Sequence, residues 1–371
     1  MSLSLYRISQ TLRAISQETN HHFHNRRLVN RLQITIRYSI EKTPLPHKYI
    51  PIAILAIATL MLGCADTDPS SNASSALSKS SEPFVAVLGI AQDAGYPQAG
   101  CALDCCREVW KNPSLRQHAT CLAIVDPISH ERWLLECTPD FKDQLKLLNQ
   151  LDSNNSKKGI NGLSGIFLTH AHIGHYTGLI HLGHEVMGAK ETPVHVMPRM
   201  AEFLRTSGPW SQLVDYKNIE LRILENRKPV KLNERITVTP IQVPHRDEFS
   251  ETVAFRVDGP NRSILFLPDI DKWNRWNENV ETIVKSVDRA YVDGTFFGDG
   301  ELPNRPMDQI PHPYIVETMD RFESAPQSER AKIHFIHFNH TNPVHNPNSD
   351  ATKQTTEAGF NIARQNDQFK L

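Results

Sequence analysis

The stretch Thr169 to Leu179, THAHIGHYTGL, places His170, His172 and His175 within six residues. It continues the apolar run Gly165-Ile166-Phe167-Leu168. Imidazoles at the end of a buried strand are costly to desolvate unless they bind something. A neutral ring nitrogen is a strong ligand for Zn²⁺ and similar divalent ions. Alternation along an extended segment sends His170 and His172 to the same side. Gly174 lets the chain turn, and a helix from Tyr176 onward carries His175 in its first turn. Two imidazoles from a strand end and a third from a turn suit one or two ions in an open, catalytic arrangement.

Other polar residues sit where apolar strands stop. His245 follows PIQV, Asp269 follows RSILFLP, and His337 ends IHFIH with His340 and His345 close behind. A carboxylate there needs a cation or several donors to offset its desolvation; the simpler role for Asp269 is an N-cap. His181 and His184 share one helix face by i, i+3 spacing and read as solvated. His195 stands alone in a short strand, and His118, His130 and His312 read as structural. Cys101, Cys105 and Cys106 cluster in AGCALDCCREVW. Three thiols so close suit a structural Zn²⁺ with a fourth ligand from elsewhere; a disulfide is the alternative, although the adjacent Cys105 and Cys106 are strained partners for each other. Cys121 and Cys137 lie in apolar runs and read as core. No G-x-S-x-G element points to serine hydrolysis.

The elements that must position these groups alternate from Phe84 onward. FVAVLGIA, CLAIVD and WLLEC read as strands, and PDFKDQLKLLNQL as an amphipathic helix. GIFLTH is the imidazole-bearing strand and YTGLIHLGHEVMG its helix. Strands follow at PVHVM, IELRIL, ITVTPIQV, ETVAFRV, RSILFLPDI, RAYVDGTF and KIHFIHF, with helices over 274–287 and 312–323. There is no internal repeat, and residues 84–371 read as one domain.

The 371 residues are 39% hydrophobic and 22% charged, an ordinary globular composition. The formal charge of −1 hides an asymmetry: residues 1–50 hold eight Lys/Arg against two Asp/Glu, leaving the remainder net acidic. An acidic body gives no electrostatic reason to expect nucleic acid. Lys48 precedes the uncharged run YIPIAILAIATLML and then Gly63-Cys64. The run is short of the roughly 20 residues of a membrane span and fits a signal-peptide core. Residues 1–63 are expected to be a signal region, with a true start downstream of residue 1. The Leu62-Gly63-Cys64 ending resembles a bacterial lipobox, which implies lipidation of Cys64. Residues 64–83 are a Ser-rich tether, and the expected location is extracytoplasmic, anchored in a bacterial membrane and facing the periplasm.

Taken in order, H-x-H-x-x-H and then His245, Asp269 and His337 resemble the metallo-β-lactamase superfamily. That resemblance implies an α+β fold, a four-layer αββα sandwich with metal at its strand ends. It implies His170, His172, His175, His245, Asp269 and His337 as ligands of one or two Zn²⁺, with Mn²⁺ or Fe²⁺ as alternatives. The family motif is H-x-H-x-D-H, and Gly174 stands where its aspartate would be. Site one (His170, His172, His245, Asp269) is complete; site two keeps His175, Asp269 and His337 but lacks a carboxylate, with His340 and Asp293 the candidates to help. Asp140 in LLECTPDF matches the acidic motif that opens the pattern. Within the superfamily, LGIAQDAGYPQAGCALDC, VDGTFF and HFNHTNP are most similar to the pyrroloquinoline quinone biosynthesis protein B family. A cysteine-rich loop in a related phosphodiesterase family binds structural zinc, implying Cys101, Cys105 and Cys106 as its ligands here, with His340 or His345 as the fourth. The implied function is metal-dependent hydrolysis of a small ester, lactone, amide or phosphodiester in the cell envelope. Asp269 would orient the nucleophile and His340 act as general acid. The alternative is the role of the quinone-biosynthesis relative, a small-molecule carrier or iron-dependent oxygenase.

Overall fold

The structure, a computed structural model, describes residues 81–151, 162–302 and 305–371. The signal-like segment, Cys64 and nearly all of the tether lie outside the described residues.

Six strands build most of a first sheet: β1 (Phe84–Gly89), β2 (Cys121–Asp126), β3 (Glu131–Leu135), β4 (Gly165–Phe167), β5 (Thr192–Val196) and β6 (Ile219–Ile223). The next seven form a second: β7 (Val230–Lys231), β8 (Thr237–Val243), β9 (Thr252–Asp258), β10 (Ser263–Leu267), β11 (Arg289–Asp293), β12 (Ile333–Ile336) and β13 (Asn361–Ile362). A last strand, β14 (Gln368–Lys370), returns to pair antiparallel with β1. The sheet orders are β14-β1-β2-β3-β4-β5-β6 and β13-β12-β11-β10-β9-β8-β7.

Period-2 alternation explains the layers. Leu122 and Ile124 of β2 face the second sheet's Phe255 and Phe266 in one core. Their neighbours Ala123 and Val125 face the opposite way into another, with Phe141, Leu148, Met200 and Leu204. Those four lie on α2 (Phe141–Leu151) and α4 (Pro198–Thr206), the helices that cover the outer face of the first sheet; α1 (Asp104–Lys111) and α3 (Ile173–Tyr176) precede them respectively. On the second sheet, Val280, Val284 and Ile315 supply the helical cover. The result is the expected αββα sandwich. Both faces of each central strand are buried, which is why their sequences are continuously apolar.

Strands β3, β4, β5 and β6 run parallel, as do β10, β11 and β12. Two antiparallel steps through β9 turn β8 the same way as β10. The carboxyl ends of β8, β10, β11 and β12 therefore share one edge, a usual place for a site in parallel sheets. His245, Asp269, Asp293 and His337 all stand there.

Two expected helices differ. The one over 274–287 is a 3₁₀ turn at Trp273–Arg275 followed by a short helix, Val280–Lys285. The helix from Tyr176 is only the single turn α3 followed by a 3₁₀ turn over Thr177–Leu182. The backbone bonds elsewhere: Gly178 N–H donates to Cys137 O at 2.9 Å, and Cys137 N–H to His175 O at 2.8 Å. These bonds pin His175 to the end of β3. A Cβ at Gly178 would lie 2.1 Å from Thr138 O. Gly178→Ala should therefore cost about 1–3 kcal/mol, the usual range for overpacking, read as a lower urea midpoint. An unchanged midpoint would contradict this packing.

Candidate metal centre

His170 lies three residues past β4, in irregular chain rather than in the strand itself. Its Nε2 is nevertheless 2.8 Å from His172 Nδ1 and 3.3 Å from Asp269 Oδ2. His245 Nε2 is 3.2 Å from Asp269 Oδ1. One atom from each of His170, His172, His245 and Asp269 lies within 4.8 Å of the others. His175 and His337 form a neighbouring group with Asp93 inside the same limit, and His175 Nε2 is 3.7 Å from Asp269 Oδ2. Asp269 thus stands between both groups. It is no N-cap: the next helical turn begins only at Trp273.

The far side of each ring decides which nitrogen faces inward. Thr169 Oγ1 donates its only proton to Glu136 Oε1 at 2.5 Å, so it accepts from His170 Nδ1 at 2.8 Å. That leaves a lone pair on His170 Nε2. Thr295 repeats the device, donating to Asp293 Oδ1 at 2.7 Å and accepting from His337 Nδ1 at 3.0 Å. His245 Nδ1 meets Asp271 Oδ1 at 3.2 Å, and His172 Nε2 meets Glu248 Oε2 at 3.3 Å. His175 Nδ1 is 3.3 Å from Glu136 Oε1. Carboxylate or hydroxyl support behind a ring is how metal-binding imidazoles are oriented.

The inward atoms fit a cation. Among the described residues, His175 Nε2, His245 Nε2, His337 Nε2 and Asp269 Oδ1 are buried and make no hydrogen bond of good geometry. Buried polar atoms are rarely left so. His170 Nε2 and His172 Nδ1, 2.8 Å apart, either share a proton or turn both lone pairs on one cation. Mixed nitrogen and carboxylate donors suit zinc, manganese or iron.

The electrostatics divide the imidazoles. Burial, then the charge of His175, holds the His170 imidazole well below its usual range, and burial lowers His172 and His337 as well. That direction favours the neutral ring that ligation requires. Burial would raise the Asp269 carboxyl, but His245 and His312 outweigh it and hold it well below the carboxylate range. Burial also opposes the charge on His175 and His245, yet Glu136 raises the first, and Asp269 lifts the second to about 9.

Some residues fall elsewhere than expected. His312 is buried in the centre, its Nδ1 2.9 Å from Asp293 Oδ2 and 3.1 Å from Asp269 Oδ1. The sequence offered only a histidine between two prolines at the start of an expected helix, with no strand end to mark it. Glu136, not singled out in the sequence, is the acid that supports the imidazoles; Asp140 Oδ2 accepts from Ala119 N–H at 2.8 Å and braces the start of α2. Asp293 meets His312 directly and backs His337 through Thr295.

His340 is corrected from general acid to partner of the thiols. Its Nδ1 is 3.5 Å from both Cys105 Sγ and Cys106 Sγ. Cys101, Cys105, Cys106 and His340 place their ligand atoms within 4.8 Å of one another. His345, the other expected fourth ligand, instead stacks on Tyr96 with ring centroids 4.1 Å apart. The thiols are free; Cys101 and Cys105 Sγ are 3.7 Å apart, far beyond a disulfide bond. Burial pushes the Cys105 thiol up and the Cys106 thiol to about 12, so a cation is what would hold them as thiolates. Cys121 and Cys137 are core. A cleft of about 340 Å³ opens beside His245, lined by Asp247, Glu251, Arg275 and Trp276 among others.

Residues 131–338 match the family model described as "Beta-lactamase superfamily domain". Curated relatives include the Coenzyme PQQ synthesis protein B of Xanthomonas campestris pv. campestris (strain B100), 21% identical over 75% of this chain and 97% of the relative. That of Methylococcus capsulatus (strain ATCC 33009 / NCIMB 11132 / Bath) is 23% identical over 76% and 97%. Among solved structures, Zn²⁺-bound PqqB from Methylobacterium extorquens superposes with a TM-score of 0.65 at 17% identity, covering 78% of this chain and 100% of that one. A diphosphatase of the PhnP family gives 0.55 at 16%, covering 78% and 97%. These likenesses show the fold.

Proposed function

The chain belongs to the β-lactamase superfamily, and from that premise we propose that it is a metal-dependent hydrolase of a small ester, lactone, amide or phosphodiester. The observation that carries this reading is the convergence of donor atoms from the buried His170, His245 and Asp269 and the half-buried His172. His170, His172, His245 and Asp269 would hold one ion; His175, His337 and Asp269 would contribute to a second. A divalent ion there supplies Lewis acidity and lowers the pKa of a coordinated water to about 7.

The chain's own groups do the rest. Glu136, Thr169, Asp271, Asp293 and Thr295 fix the rings. Asp269 orients the reacting centre from between both groups. His312 spends Nδ1 on two carboxylates, so Nε2 is the nitrogen left for a substrate oxygen, and His312 takes the proton-donor role first expected of His340. His312→Gln should lower kcat by about 10²–10⁴-fold, the usual worth of a positioned acid or base, while bound metal stays constant. Loss of metal in the variant would make His312 a support instead.

The cell envelope is the proposed location, resting on residues 49–64. The main test is turnover of generic ester, lactone, amide and phosphodiester substrates, abolished by chelation and restored by zinc or manganese. A second reading is favoured by the near full-length match to relatives named for PQQ synthesis: a small-molecule carrier or an iron-dependent oxygenase. Tightly held iron with oxygen consumption, and no hydrolysis, would select it.

A further inference from the structure

We infer that Asp93, from the loop after β1, supplies the carboxylate missing from position 174 and completes the second metal site. The inference rests on the metal-centre reading above and concerns one ligand within it. Gly174 is not an empty place. A Cβ built there would lie 2.3 Å from Asp93 Cα, 2.9 Å from Asp93 O and 2.8 Å from Asp93 Oδ1. The backbone of residue 93 therefore occupies the room that any side chain at 174 would need. Its carboxylate oxygen lies close to the distance at which an aspartate at 174 would carry its own. One carboxylate has replaced another in space from a different part of the chain.

Three observations make Asp93 a ligand and not merely a neighbour. A carboxylate oxygen of Asp93 lies within 4.8 Å of the ligand atoms of both His175 and His337. His337 Nε2 and His175 Nε2 are buried without a hydrogen bond among the described residues. Asp93 has φ +45°, the left-handed region, where a non-glycine residue is uncommon but Asp is among the better tolerated. The loop is held in place: Gln92 N–H donates to Phe338 O at 2.8 Å and Gly95 N–H to Gln92 O at 3.1 Å. The first of these bonds ties the Asp93 loop to the residue after His337. The exchange also explains why H-x-H-x-G-H can serve as a two-ion motif in this chain.

The test counts metal, not activity. Purified full-length protein is loaded with Zn²⁺ or Mn²⁺, dialysed against graded chelator, and measured by plasma mass spectrometry. Wild type should hold two ions at the imidazole centre besides the thiol-bound one. Asp93→Asn should lose one ion, its dissociation constant rising at least about 100-fold, since even residues that only support ligands are worth roughly 10–100-fold. Asp93→Ala, which also leaves the backbone of residue 93 in place, should lose the same ion. Asp93→Asn that keeps the second ion at wild-type chelator resistance overturns the inference. So does an Asp93→Ala variant that keeps it while circular dichroism shows a folded chain. His170→Ala separates the two levels: if it loses no ion, the underlying metal reading fails; if it loses its ion but Asp93→Asn loses none, only the Asp93 assignment fails.

Discussion

Asp269→Asn should strip the imidazole centre of metal and lower hydrolytic turnover by about 10³-fold. The two Asp269 oxygens lie 3.1–3.7 Å from nitrogens of His170, His175, His245 and His312. No other carboxylate reaches as many of these rings among the described residues. Asparagine keeps the shape but removes the charge and turns a donor NH₂ toward groups that need an acceptor. Polarisation by a bound ion is worth several kcal/mol, and each 1.36 kcal/mol is tenfold in rate, which gives the magnitude. Steady-state kinetics alongside metal counting checks it. A variant with full metal and near-normal turnover would place the chemistry elsewhere.

The largest effect on stability should come from the thiol site. Cys106 is fully buried, and His340, 234 residues further along the chain, stands beside it. A cation there would fasten the start of α1 to the segment following β12. Structural zinc contributes outright to folding free energy. Cys106→Ser should lower the melting temperature by at least about 10 °C, taking a loss of several kcal/mol at roughly 2–4 °C for each. It should also remove one zinc without touching those at the imidazole centre. Melting by circular dichroism paired with zinc analysis reads both. Equal melting temperatures and equal zinc would mean that the thiols are only packed together.

The fold was legible because strongly apolar strands and their order carry it, and β8, β10, β11 and β12 each stop at or just before a polar residue that could be read. The gathering of His170, His172, His245 and Asp269 was legible for the same reason. What escaped detection came from loops. Asp93 and His312 are brought in by loop paths that no periodicity encodes. Glu136 was hidden by its place directly after an apolar strand, where Asp140 offered a more obvious acid four residues on. His340 and His345 are near neighbours in sequence, and only the packing of Tyr96 against His345 separates their roles. The short α3 could not be foreseen because Gly178 reads as an ordinary helix position until the end of β3 is seen pressed against it.

The most direct test is anomalous diffraction at the metal edge from crystals of the purified, metal-loaded protein. One peak is expected bounded by His170, His172, His245 and Asp269, a second beside Asp93, His175 and His337, and a third among Cys101, Cys105, Cys106 and His340. Crystals with no peak at the imidazole centre, and rings joined only by ordinary hydrogen bonds, would contradict the metal-centre reading.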